Sequence, residues 1–395
     1  MFLFPSLQPQ TRCLLDNIPE LIEKTFPMPG RFHPALPGNI KELSRLLTSA
    51  RGERSLSYLG RPDFLAAYIR YFLPWNLYRL CRLLPGIELS LAPGDVITDL
   101  GCGPLTLASA LWISLPELRN TPLEIHCIDQ CGPVLEAGKK FFAALTNGSC
   151  PWKLRVIKKN IEHYDNREKP SALVCAVNVF NEVCGRLPHS DAEGQKLRAV
   201  NAARLLHGLA SASGSILAVE PGVPNSGQFI SLLRSALLEH KRPPVSPCTH
   251  ALACPMPGGF ATLGFALGKR IKNRWCHFAF ETDDAPKALH RLSAAAGFPK
   301  ERAVLSFLLA GPVTKDRNQP EKTPQKEIPV RIVSDAFSLP NNQRGRYGCS
   351  AGGLVLLTGD RVSADKAASG ALINTVLDSG KRDTKSGAVT AKLKD

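Results

Sequence analysis

At 395 residues with a hydrophobic fraction of 44%, the chain is long and apolar enough for two or three domains built on a globular core. Lys and Arg number 49 against 34 acids, a formal charge of +15, which favours a polyanionic partner, nucleic acid first and a membrane surface second. No apolar run approaches the roughly 18 residues of a spanning helix, and twelve cysteines in so large a chain do not make the disulfide framework of a small secreted module.

The first residues carry Pro5 and Pro9 inside a short apolar stretch, with acids soon after. That pattern suits neither a secretory signal nor an Arg-rich transit peptide, so the cytoplasm is the expected compartment. Residues 1–93 are predicted to form a helical cap. Ile40, Leu43, Leu46 and Leu47 recur at helical spacing. Pro62 suits the start of a helix, where its missing N–H would have no partner anyway. The run DFLAAYIRYFLPWNLYRLCRLLP has a broad aromatic and leucine face and is expected to break at Pro74.

From residue 94 the pattern alternates between strands and helices, which predicts a parallel sheet with right-handed crossovers. Strands are predicted at 95–99, 124–129, 153–158, 172–178 and 215–220, with helices near 105–115, 133–145 and 195–209. The chain is organised around VITDLGCG at 96–103 and IHCID at 125–129. An apolar strand reaches Asp99 and turns at once through Gly101 and Gly103; the next strand ends in Asp129. Glycines let the backbone approach a ligand, and a strand-end carboxylate can take the two hydroxyls of a ribose. Neither GxGxxG nor GxxxxGK[ST] is present, so the dinucleotide and phosphate-loop fingerprints are missing. DLGCG after a strand resembles the first motif of class I S-adenosylmethionine-dependent methyltransferases. That resemblance implies an α/β, Rossmann-like sheet with Asp99, Gly101 and Gly103 near the methionine end of the cofactor. It places Asp129 on the ribose and Asn160 near the adenine; Asn178, Asn181 and Glu220 also fall at the carboxyl ends of strands, where ligands sit.

After Glu220 comes a turn and an amphipathic helix, completing a cofactor domain over 94–241. Residues 242–278 are rich in Pro and Gly and too irregular to form a core alone. Order returns with a helix near 285–296, capped by Gly297, and a strand at 303–310, so 279–312 is expected to complete the sheet. Residues 313–362 are charged and Pro-punctuated, with strands at 330–333 and 353–358. Residues 363–395 are Ala, Ser, Lys and Asp in the main and are expected to form a disordered tail.

Most cysteines lie in apolar strands or helices and read as small buried hydrophobes. Cys248 and Cys254 in PCTHALACP, Cys276 in RWCHF and Cys349 in RYGCSAGG do not. Thiolates at loop turns can close a zinc site or hold an iron–sulfur cluster, and the spacings do not decide between them. His250 and His277 could replace one thiol.

Taken together, LSYLGRPDFLAAYIRYFLPWN, DLGCGP, VEPGVPNSGQFISLLR, PCTHALACP, RWCHF and RYGCSAGGLVLL resemble one family over about residues 40–360. It is the methyltransferase-like small-ribosomal-subunit proteins of mitochondria, methyltransferase-like protein seventeen and its yeast counterpart among them, with bacterial relatives. The resemblance implies a cysteine-rich iron–sulfur insertion in which Cys248, Cys254, Cys276 and Cys349 hold a [4Fe–4S] cluster. It also implies small-subunit assembly and binding to ribosomal RNA, which agrees with the charge. RNA contacts, mostly to phosphates and 2′-hydroxyls, are expected from Lys269, Arg270, Lys272 and Arg274 around the cluster and from Arg331, Arg344 and Arg346 before the last cysteine.

Methyl transfer needs mainly an aligned nucleophile, because the sulfonium is already activated. The acceptor half of the site is less defined. NVFNE at 178–182 stands where N6-adenine methylases carry a double-proline clamp, and Asn181 and Glu182 are the candidate acceptor contacts. Three readings follow: an RNA methyltransferase of the small subunit, a catalytically silent assembly factor, and a methyltransferase acting on a ribosomal protein. A monomer is expected.

Overall fold

The structure, a computed structural model, describes residues 2–48, 58–166, 169–180, 192–257, 274–314 and 327–393. Helices α1 (Pro9–Thr25), α2 (Leu36–Leu47), α3 (Pro62–Ala67) and α4 (Leu73–Leu83) form the N-terminal cap. Pro74 does not break the aromatic run. It occupies the first turn of α4, where its lost N–H costs nothing, and one wide π turn, Tyr68–Phe72, joins that helix to α3.

Every residue of β1 (Val96–Leu100) is buried, as a central parallel strand covered on both faces requires. It pairs in parallel with β2 (Glu124–Asp129) and with β4 (Ser171–Val177). β3 (Lys153–Lys158) extends the sheet beyond β2, and β5 (Ala210–Pro221) beyond β4. Exposed Lys153, Arg155 and Lys158 make β3 a charged edge, which discourages pairing with other chains. The sheet then turns antiparallel with β8 (Arg302–Ala310), to which the short β6 (Pro244–Ser246) and β7 (Phe278–Glu281) both pair. The order β3-β2-β1-β4-β5-β8-β6 changes direction between β1 and β4, so the crevice outside their carboxyl ends is where a ligand belongs.

The two faces of the sheet are filled separately, following the alternation of side chains along a strand. Ile97, Ile125 and Cys127 pack towards α4, α5 (Thr106–Ser114) and α6 (Gly132–Leu145). Leu100, Ile128, Val174 and Ile216 pack towards α7 (Ala192–Leu209) and α8 (Pro224–Glu239). α5 is buried on almost every side because the cap covers what the sheet does not. α9 (Lys287–Ala295) ends as expected at Gly297, φ +78°. Phe298 N–H donates to the Ser293 carbonyl at 2.8 Å and Gly297 N–H to that of Ala294 at 3.0 Å, the two bonds of a Schellman ending.

The expected disordered tail is folded over its described residues, 363–393. The described part of that segment carries α10 (Arg361–Lys366), β13 (Leu372–Thr375), β14 (Leu377–Arg382) and β15 (Val389–Lys392). These join β9 (Ile328–Ile332), β10 (Phe337–Ser338), β11 (Arg344–Ser350) and β12 (Gly353–Gly359) in a second sheet of order β13-β9-β11-β12-β15-β14, with β10 beside β11. The outermost strands β13 and β14 are separated by Val376 alone, so the sheet curls back on itself. Val330, Ile332, Val355, Leu357 and Ala391 fill its interior.

The chain start ties the two sheets together. Phe2 bridges to Ala371, and Leu3 N–H donates to the Gly370 carbonyl at 3.3 Å. The Phe4 ring stacks on Phe280 at 4.7 Å beside Phe278 and Phe307. Leu3 and Phe4 are fully buried, each worth about 1.5–3 kcal/mol. Among the described residues no helix is long and apolar enough to cross a membrane.

Candidate cofactor and metal site

The acidic and amide residues singled out in the sequence stand in one row at the carboxyl edge of the parallel strands. Asp99 is the penultimate residue of β1, Asp129 ends β2, Asn160 follows β3 and Asn178 follows β4. Gly101 adopts φ +63°, and a Cβ there would stand 2.6 Å from Val179 Cγ2, so both conformation and space demand glycine. Gly103, at φ +54°, has room for a Cβ, which would make ordinary contact with the Tyr68 hydroxyl at 3.8 Å and Thr106 Oγ1 at 3.9 Å; the left-handed backbone is what favours glycine there. α6 is seated on this turn through Gly138, where a Cβ would meet the Pro104 backbone at 2.5 Å.

Asp129 holds the turn directly. Its Oδ2 accepts the Gly103 N–H at 3.0 Å and its Oδ1 the Cys131 N–H at 2.8 Å. Burial pushes its carboxyl up, against the pull of those N–H groups. Asp99 is 1% exposed, and its Oδ2 is buried with no hydrogen-bond partner among the described residues. Burial first, then the charge of Asp129, raises its carboxyl well above the usual range. A buried polar atom without a partner is costly, and a donor from a bound ligand would relieve it.

Asn160 is exposed and caps a short 3₁₀ turn, accepting the Glu162 N–H at 2.9 Å. Asn178 is left-handed at φ +58° and donates its N–H to the Val219 carbonyl at 2.7 Å. Glu220, buried at the end of β5, accepts the Phe180 N–H at 2.9 Å and so fixes the turn after β4. Asn181 and Glu182 lie outside the described residues.

The four singled-out thiols come from three places. Cys248 and Cys254 follow β6, Cys276 precedes β7, and Cys349 is in β11 of the second sheet. Cys349 is part of the main core, against which Cys254 and Cys276 pack. Burial, then the charges of Cys254, Cys248 and Cys349, push the Cys276 thiol up; Cys349 is raised by burial, then by Cys248 and Cys254. Their surroundings are built to hold position. Trp275 lies against α8 where Gly227 leaves room and donates Nε1–H to the Gly222 carbonyl at 3.1 Å. Ser306 Oγ donates to the Cys276 carbonyl at 2.8 Å. His250 Nε2 is 3.6 Å from Cys349 Sγ, whereas His277 stacks on Trp275 with Nδ1 at the Trp275 carbonyl. Among the described residues no three His, Cys, Asp or Glu side chains are arranged to share one metal ion.

Two of the expected RNA contacts point inward. Arg331 is 5% exposed and donates to the carbonyls of Pro247 at 3.1 Å and Gly370 at 2.9 Å. Arg346 is 7% exposed and donates to those of Ala364 and Ser334. The carbonyls of these loop and helix residues hold the two guanidinium groups inside, so neither is an RNA-facing charge. Arg274 is half-buried, with Nη1 donating to the Ser386 carbonyl at 2.7 Å, and Arg344 donates to Ser338 Oγ. Lys269, Arg270 and Lys272 lie outside the described residues. Sequence reasoning missed Arg234, a buried guanidinium on α8 in contact with Cys248; a lone arginine inside the apolar run FISLLRSALL was the available signal.

No curated protein matches the chain in sequence. Among solved structures, a Listeria monocytogenes protein assigned to the class I S-adenosylmethionine-dependent methyltransferases is 10% identical, with a TM-score of 0.33, covering 79% of this chain and 90% of its own. A TehB-like S-adenosylmethionine-dependent methyltransferase from Corynebacterium glutamicum is 13% identical with a TM-score of 0.29, covering 71% and 100%. The cyclopropane synthase MmaA2 from Mycobacterium tuberculosis is 13% identical with a TM-score of 0.28, covering 72% and 99%. The sequence pattern of the family described as mitochondrial small ribosomal subunit Rsm22 matches residues 98–338. With more than half of its length matched, over the glycine turn, the β5–α8 segment and three of the four thiols, the chain belongs to the mitochondrial small ribosomal subunit Rsm22 family.

Proposed function

We propose that this protein binds the RNA of the small ribosomal subunit, holds S-adenosylmethionine and a [4Fe–4S] cluster, and methylates that RNA. The observation that carries the reading is the row of Asp99, Gly101, Gly103 and Asp129 at the switch point of the sheet, in a chain of a small-subunit family. The residues fit the nucleoside: Asp129 presents a fixed carboxylate for ribose hydroxyls, Asp99 has an oxygen without a partner among the described residues, and the left-handed Gly103 turn is held beside them. Bound there, the sulfonium cofactor supplies an activated methyl group. The protein's own part is to orient it and to keep the acceptor in line.

The thiols fit a cluster by their chemistry. All four donors are sulfur, Cys254 and Cys276 pack against the core that holds Cys349, and Arg234 and Arg331 place positive charge beside Cys248 and Cys349. A four-iron cube is larger than one ion, so its thiolates stand farther apart than the ligands of a zinc site. In this reading the cluster braces the face formed by the 242–278 segment and the second sheet. Arg274, Arg344, Lys269, Arg270 and Lys272 then remain the RNA-facing set.

Transfer of labelled methyl from the cofactor into small-subunit RNA tests the enzymatic reading. Incorporation into a ribosomal protein instead would assign the acceptor to protein. A silent assembly factor is the second reading, favoured by NVFNE where a double-proline clamp would stand; tight cofactor binding without transfer would establish it. Iron and sulfide analysis of anaerobically prepared protein, against Cys254→Ser, tests the cluster. Equal iron content in the two would sink it.

A further inference from the structure

We propose that Arg234 is a positioning residue for the cluster, shaping the 248–254 loop and setting how readily the cluster accepts an electron. The inference rests on the cluster reading above. Arg234 is 3% exposed, in the middle of α8, facing the loop that carries the first two thiols. Its Nη2 donates to the carbonyls of His250 and Leu252, both at 2.7 Å, and its Nε to Cys248 Sγ at 3.3 Å. One rigid fork thus fixes the backbone between Cys248 and Cys254 while contacting a thiol directly.

The charge balance points the same way. A buried guanidinium is tolerated only where something compensates it, and neutral carbonyls do so incompletely. Among the described residues the hydrogen-bond partners of Arg234 are two carbonyls and a sulfur, none of them a carboxylate. A second guanidinium, Arg331, stands directly across the strand pair from Cys349 and bonds the carbonyl of Pro247, next to Cys248. Two inward cations around four thiols suit an anionic centre. A cluster on four thiolates is one, and it gains a further negative charge on reduction. Hydrogen bonds to the sulfurs and nearby charge set its potential. Removing the guanidinium therefore disfavours the reduced state.

The test is an anaerobic redox titration of the full chain, poised with dithionite and followed by electron paramagnetic resonance, in wild type, R234Q and R234K. R234Q is expected to bind the electron about tenfold less tightly, a midpoint lower by ~59 mV for one electron. It should also lose iron to a chelator faster. R234K keeps the charge but not the fork, so its midpoint should fall less while the 248–254 loop is cut sooner by protease. A loaded wild type whose midpoint and chelator rate are unchanged in R234Q overturns this proposal alone. A wild type without iron overturns the cluster reading and this proposal with it. If R234Q does not accumulate, R234K decides: wild-type midpoint together with wild-type proteolysis overturns the role.

Discussion

The N–H of Gly103 donates to Asp129 Oδ2 at 3.0 Å, so the turn after β1 and the acid ending β2 hold each other in place. Asp129 therefore shapes the pocket as well as lining it. Asp129→Ala should lower affinity for S-adenosylhomocysteine on the order of 10²-fold or more, the loss of one or two charge-assisted hydrogen bonds. Calorimetry measures it. Affinity within a factor of three of wild type would mean that the nucleoside sits elsewhere.

Gly101→Ala meets two obstacles, a left-handed backbone and a Cβ 2.6 Å from Val179 Cγ2. The backbone alone costs about 1–2 kcal/mol. The variant should melt lower and bind cofactor poorly. Adding Val179→Ala should restore part of the loss, because only the collision is removed. A double variant no better than Gly101→Ala would leave the steric account without support.

Lys300 places its Nζ 5.2 Å from the Tyr71 ring and 5.0 Å from that of Trp75. Burial, then the Arg79 guanidinium, hold its ammonium down to about 7, against an ordinary 10.5. Between those values the unfolded chain binds more protons than the folded one, so this residue makes stability rise with pH across that window. Below about pH 7 its full cost remains, on the order of a few kcal/mol. Lys300→Met should raise Tm most at pH 6–7, and the gain should shrink towards pH 10. A gain constant with pH would contradict the assignment.

Ending the chain after residue 362 removes β13, β14 and β15 and uncovers Val330, Val355 and Leu357. It also removes the Gly370 carbonyl that Arg331 bonds. The truncated protein should aggregate or be cut rapidly within 327–362. An unchanged melting profile would return that segment to the status of a loose tail.

How much of this was legible beforehand varies with the physics of each part. β1, β2 and β4 could be read because buried parallel strands are apolar runs, β3 because its apolar and charged residues alternate at the sheet edge, and the DLGCG turn because its glycines have no other use. Of the second sheet, β9 and β12 were legible as the strands at 330–333 and 353–358, whereas β13, β14 and β15 escaped because they are short and half polar. VTAK at 389–392 buries only Val389 and Ala391, and the Lys and Asp between such residues look like solvent-seeking filler. Arg331 and Arg346 were misplaced for a related reason. A guanidinium is assigned to the surface by default, yet five N–H donors can also be met by carbonyls inside. Arg234 belongs to the same class, and nothing in its helix announces the thiol it faces.

The seating of Leu3 and Phe4 against Gly370 and the Phe278, Phe280 and Phe307 rings joins residues more than 270 positions apart. Closing so long a loop is thermodynamically mild, about 0.6 kcal/mol per doubling of length. Its cost is in time, because distant contacts form late. During synthesis Phe4 therefore leaves the ribosome more than 270 residues ahead of the rings that receive it. Over that interval the polypeptide carries an apolar hook without its socket, the kind of exposed surface that favours aggregation during folding.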